Sequence, residues 1–173
     1  GLGNPDVRRV WLDNDPRADY GRFAFDRRNV LAASGTLNPW RTFTVATVVS
    51  AIGGAPVNET VGRDVNGDQD NNDRPVRGVD DLTRPIQSAV DGAGRAVING
   101  LQGPGSLLVD VSFRYSIPVK LGIQSVDLFY DIFNITNRTN LVAPTGNRSS
   151  ANFMIPTAAQ FPRQMQFGIR VMF

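Results

Sequence analysis

Five oxygen-bearing side chains in one short stretch offer the sequence's clearest chance of binding chemistry. Asp64, Asn66, Asp68, Asp70 and Asp73 place carboxylate and amide oxygens at mostly alternate positions. Hard cations such as calcium are bound by oxygen sets of this kind. The pattern departs from the EF-hand loop, because Gly67 is its fourth residue, not its sixth, and Pro75 stands where the bidentate Glu belongs. Asn, Asp and Gly are also the residues that build tight turns, and that reading of the stretch outweighs calcium.

Asp127 and Asp131 are the only paired carboxylates that suggest acid–base work. On a strand, four residues span about 13 Å, too far to share a proton. Four Asn-X-Ser/Thr triplets begin at Asn58, Asn134, Asn137 and Asn147, and turn chemistry accounts for them better than glycosylation. The run from Asp91 to Arg95 is too short for a phosphate loop and reads as a surface turn. No catalytic residue and no resident cofactor emerge, calcium remaining the one cofactor to test, and the expectation is a protein that is not an enzyme.

The chain of 173 residues contains no Cys and no His. That removes disulfides, thiolate chemistry, Cys/His zinc sites and His-based triads. The formal net charge is +2, with Arg scattered among acids. A nucleic-acid partner would call for a clustered basic stripe. No apolar run approaches the roughly 18 residues of a spanning helix. A hydrophobic content of 41% still fits a transmembrane β-barrel, whose strands alternate lipid-facing and lumen-facing residues. The start, Gly1-Leu2-Gly3, has no initiator Met and no export signal, so a fragment of a longer chain is expected.

The elements that would position these residues are strands. Met165, Phe167, Ile169, Val171 and Phe173 alternate with Gln164, Gln166, Gly168, Arg170 and Met172, the period of a strand with one apolar side. Leu107 to Ile117 alternates likewise, and so does Gln124 to Ile132, with Phe129 as an exception on its polar side. Thr42 to Ala51 is a weaker case. Arg28 to Leu37 is weaker still and rests on a turn expected at Asn38-Pro39. Strands are expected near 27–37, 41–52, 106–117, 122–134 and 163–173. Their connections run short, long, short, long, with long loops over 53–105 and 135–162. That is the rule of outer-membrane barrels, with tight periplasmic turns and extended outer loops. Five strands leave two unpaired edges, so further strands are expected to complete a barrel.

The stretch Gly62-Arg63-Asp64-Val65-Asn66-Gly67-Asp68, followed by Asn72-Asp73-Arg74-Pro75, resembles a loop of TonB-dependent receptors of the Oar-like kind. Asp127 to Arg138, with its Phe133-Asn134-Ile135-Thr136-Asn137 ending, is similar to their penultimate strand. Phe161-Pro162-Arg163-Gln164 through Phe173 is similar to their last strand, and Asp26-Arg27-Arg28 to an upstream strand start. The resemblance covers most of Phe25 to Phe173.

The resemblance implies the C-terminal part of an antiparallel, all-β transmembrane barrel of about 22 strands, filled by a plug absent from this sequence. It implies wall and loops of a receptor that imports an unidentified substrate through the outer membrane, the C-terminus lying in the periplasm. The implied partners are outer-membrane lipid, the remaining strands and plug, the energy-transducing TonB complex and the barrel-assembly machinery; nucleic acid is not among them. Asp110, Arg114, Asp127, Asp131 and Arg170 are expected to face the lumen. Met165, Phe167, Ile169, Val171 and Phe173 are expected to form the assembly signal, an edge strand read by strand addition. Two other readings stay open: a self-contained small barrel acting as adhesin or passive pore, and a secreted β-sandwich binding module.

Overall fold

The computed structural model describes residues 20–67, 69–119 and 125–172. Among these residues the chain is all-β, with no helix. Seven strands form: β1 (Val30–Trp40), β2 (Phe43–Ile52), β3 (Pro56–Val57), β4 (Leu101–Gln102), β5 (Ser106–Pro118), β6 (Ser125–Phe133) and β7 (Gln164–Met172). Five of them make an antiparallel sheet in the order β1-β2-β5-β6-β7, and β3 pairs with β4. The sheet is open, with β1 and β7 as its edges.

Five strands appear near the expected positions, the first shifted three residues toward the C-terminus, the third one residue longer and the others trimmed at their ends. Residues 122–124 and Phe173, expected in the last two strands, lie outside the described residues, as do most of the short turn before them. The weakest expectation is corrected. Asn38-Pro39 is not the hairpin turn; β1 continues to Trp40 and the turn falls at Arg41-Thr42. The pairing with β2 shifts between Leu37 and Trp40, so Asn38 and Pro39 form a bulge. Proline has no N–H to donate to a ladder and is tolerated at bulges and on edge strands, and β1 is both bulged and an edge. Asn38 Oδ1 accepts the Thr44 hydroxyl across the bulge at 2.7 Å.

Both long connections leave the sheet at one end. Ile52 lies opposite Ser106 and Phe133 opposite Gln164, so the exit of β2, entry of β5, exit of β6 and entry of β7 are together. These connections are not structureless. The chain divides into two compact units, one made of Gly54–Pro104 and Leu141–Ala158 with the segment up to Arg28, the other made of Asn29–Gly53, Gly105–Asn140 and Ala159–Phe173.

The loop unit owns the apolar core. Val57, Leu101 and Phe153 pack together, and every buried apolar residue among those described, including Val61 and Ala96, belongs to this unit. Its second anchor is ionic. Glu59 is fully buried and receives Arg148 Nη1 at 2.5 Å, the Ser88 hydroxyl at 2.6 Å and the N–H groups of Gln87 and Ser88. Arg148 also donates to the carbonyls of Pro85, Asp80 and Arg84, and Arg84 lies over the Phe153 ring at 5.0 Å. A charge so buried is tolerated only when paired and hydrogen-bonded, and both partners here are.

Candidate functional site

The sheet's two faces differ in chemistry, and register decides which residues share each. Across β5 and β6 every odd-numbered residue meets an even-numbered partner, as with Phe113 and Tyr130. A one-residue slip would reverse the faces. Carried across β6–β7, β2–β5 and β1–β2, the ladders put Val109, Val111, Phe113, Val126, Leu128, Tyr130, Phe167, Ile169 and Val171 on one face. Leu31, Leu37 and Trp40 join them from β1, and Phe43, Val45 and Val49 from β2. No charged residue lies on this face in any of the five strands.

Two polar groups on the apolar face are satisfied close by. The Thr47 hydroxyl donates to the Asp110 carbonyl at 3.0 Å, and the Tyr130 hydroxyl to Met165 Sδ at 2.9 Å. Aromatic rings run across it from strand to strand. Trp40 and Phe43 are 5.8 Å apart, Phe43 and Phe113 6.3 Å, and Phe113 and Tyr130 6.4 Å. Phe167 follows as the cross-strand partner of Tyr130. Toward the edges of the sheet these side chains lack cover, Trp40 being 68% exposed, Phe167 65% and Ile169 59%, whereas Phe43, Phe113 and Tyr130 are half-buried.

Asp110, Arg114, Asp127, Asp131 and Arg170 share the opposite face. Arg114 lies on the same face as Asp127 and Asp131, and no ion pair joins it to either among the described residues. Asp131 accepts the Ser112 hydroxyl at 2.5 Å and Asp127 the Ser116 hydroxyl at 2.7 Å, each from its directly opposed partner. Arg114 stands opposite Phe129, one diagonal step from both carboxylates. The two carboxylates are thus held by different serines and do not form a shared-proton pair. Asp127 is buried and has Arg170 as its partner on β7.

Phe129 broke the alternation in sequence, and its partner explains it. Gly168 lies opposite, and a Cβ there would sit 2.2 Å from Phe129 Cζ. The ring therefore occupies the space that the glycine leaves open on the polar face.

Asparagines organise the exits of the sheet. Asn134 is 2% exposed with φ +51°; its N–H donates to Asp110 Oδ1 at 2.8 Å, and its Oδ1 accepts the Arg138 N–H at 3.2 Å. Asn140 completes β5 as a strand would, accepting the Leu107 N–H and donating to the Leu107 carbonyl, both at 2.9 Å. The other triplet asparagines, Asn58, Asn137 and Asn147, accept N–H groups from Asn99, Arg163 and Ser149. Asn134 and Asn147 serve turns, as expected, whereas Asn58 and Asn137 tie together segments 41 and 26 residues apart. Sequence reasoning missed Glu59, Arg148 and Asn140, whose side-chain partners lie 28 to 89 residues away; only the place of Asn134, just past a strand end, carried a signal.

The acidic stretch folds back on itself. Asp64 accepts the N–H groups of Gly67 at 2.7 Å and Gln69 at 2.8 Å, while Asp73 Oδ2 accepts those of Val65 and Asn66. Asp68 lies outside the described residues. Among the described residues no three acidic side chains converge as a ready metal site. No protein-family model, no curated protein and no solved structure matches this chain.

Proposed function

We propose that the five-stranded sheet is a stretch of the wall of an outer-membrane β-barrel of the TonB-dependent receptor type, with its apolar face toward lipid and its polar face toward the lumen. One observation carries the reading: a face without charge spans five strands, yet none of its large side chains is buried, those in the middle being half-buried and those of the edge strands exposed. In water such a face must be covered by another layer. A β-sandwich would need a second sheet of similar size, and the other sheet among the described residues has two short strands. Lipid satisfies the same face, provided that the open edges of β1 and β7 pair with further strands.

Other features fit that setting. The aromatic row would form part of an interfacial girdle. The hydroxyls of Thr47 and Tyr130 are already satisfied, as hydrocarbon requires. Long connections leave from one end, which would be the outer surface. Asp110, Arg114, Asp127, Asp131 and Arg170 would line the lumen. Met165, Phe167, Ile169 and Val171 would present the apolar side of an edge strand to the barrel-assembly machinery. Phe173, the remaining member of that signal, lies outside the described residues. Substrate, plug and coupling to the TonB complex belong to the resemblance.

The absence of cysteine makes the test clean. Single cysteines at Phe167 and Ile169 should resist a water-soluble maleimide in outer-membrane fractions, while those at Gln166 and Arg170 should react. Equal labelling of the two sets would overturn the lipid assignment.

A further inference from the structure

We infer that Asn66 is a site of self-modification: the Gly67 backbone nitrogen closes on the Asn66 side chain, Asp64 takes the proton, and the amide becomes a carboxylate. The chain holds two Asn-Gly pairs, Asn66-Gly67 and Asn99-Gly100. Such a pair is open to ring closure because glycine has no Cβ to shield its N–H or restrict its backbone. In sequence the two pairs are equal, and the structure separates them. Asn99 is 4% exposed; its N–H donates to Asn58 Oδ1 at 3.1 Å and its Nδ2 to the Arg22 carbonyl at 2.7 Å. Gly100 is packed, a Cβ there lying 2.9 Å from Ser88 Cβ, and its N–H donates to the Val97 carbonyl. Asn66 and Gly67 are both exposed, and nothing lies within 4 Å of where a Gly67 Cβ would stand.

Asp64 supplies the second condition. Its Oδ1 accepts the Gly67 N–H at 2.7 Å, so a carboxylate already holds the proton that the attacking nitrogen must lose. At Gly100 the acceptor is a peptide carbonyl, which is not a base. Asp64 Oδ2 accepts the Gln69 N–H at 2.8 Å, which fixes the carboxylate in place. The reaction needs no co-reactant other than water. Gly67 N bonds to Asn66 Cγ, and the Cγ–Nδ2 bond breaks. The proton passes from Gly67 N through Asp64 to Nδ2, and ammonia leaves. Water then opens the cyclic imide at either carbonyl, giving an aspartyl or isoaspartyl residue at position 66. Either product puts a new negative charge close to Asp64. The isoaspartyl form also lengthens the backbone by a methylene, next to the N–H that Asp73 Oδ2 accepts. The charge and path of this exposed loop therefore change as the protein ages, whether or not the sheet faces lipid.

The test is incubation of the folded full chain at neutral pH, with peptide mass and isoaspartyl content followed at both pairs. Conversion is expected at position 66 and not at position 99. In concentrated urea, where neither pair is structured, the two rates should converge. Asp64→Asn keeps an oxygen that can accept the Gly67 N–H but removes the base. It should slow conversion in the folded chain by roughly tenfold, less than the usual contribution of a positioned base because water reaches the loop. Equal conversion at the two pairs in the folded chain, an Asn66 that stays intact, or the parental rate in folded Asp64→Asn would overturn the proposal.

Discussion

Gly168 shows how one missing side chain shapes a whole face. Phe129 fills the space above it, so even a methyl group must displace a ring wedged between strands. Gly168→Ala is expected to destabilise the sheet by about 1–3 kcal/mol, the range for overpacking. Adding Phe129→Ala should recover part of that loss. Denaturant unfolding of both single variants and the double variant measures the coupling; simple additivity would show that the two residues act independently. Asp91 gives a pH-dependent counterpart. Burial alone pushes its carboxyl up, but hydrogen bonds from the Arg95 N–H and guanidinium and from the Ala93 N–H outweigh this and hold it below the usual value of 3.8. A carboxyl depressed in the folded state contributes stability that is present above its unfolded value and fades as pH falls through its folded value. Protection of the 91–96 turn against hydrogen exchange, corrected for intrinsic rates, should therefore weaken below about pH 4, and Asp91→Asn should flatten that dependence.

β7 is the element on which the two faces can be compared most directly, since neighbours in sequence point to opposite sides. Ile169 is apolar-facing and Arg170 polar-facing. On the proposed reading, Ile169→Arg should cost up to about 4 kcal/mol, the scale for a cation on the lipid face of a barrel near mid-membrane. Arg170→Gln should change stability little, because Asp127 already has its serine partner. Unfolding by urea in lipid vesicles, read from the heat-modifiable band, separates the cases; similar costs for the two would argue against a lipid face. The bulge at Asn38-Pro39 belongs to the same scale. It lets β1 carry a proline and still bring Trp40 opposite Phe43, where the aromatic row begins.

At the scale of the whole molecule, the two units are stabilised by different means. The sheet relies on its ladders and has no buried apolar residue of its own among those described, whereas the loop unit combines a small core with the Glu59–Arg148 pair. Removing one member leaves an uncompensated buried charge, which costs about 3–5 kcal/mol. Glu59→Ala should therefore open the loop unit, seen as new proteolytic cuts within 54–104 and 141–158, while the sheet ladders retain their exchange protection. Loss of protection in both units together would show that they unfold as one.

Period-2 alternation carries across a sheet because successive side chains on a strand must point to opposite sides. Composition and alternation alone therefore determined the all-β class, five principal strands, the partition of their faces and the shared end of the long connections. Local turn chemistry was less legible. The Asn38-Pro39 pair read as a turn because its residues favour one, yet continued pairing to Trp40 made it a bulge. Phe129 looked anomalous until its partner proved to be a glycine, a fact fixed by register across strands. Tertiary structure alone decided that the two long connections share a core, that Glu59 meets Arg148 across 89 residues, that Asn140 finishes the pairing of Leu107, and that one oxygen of Asp73 is buried without a donor. Such contacts join residues far apart in the chain, and no local period records them.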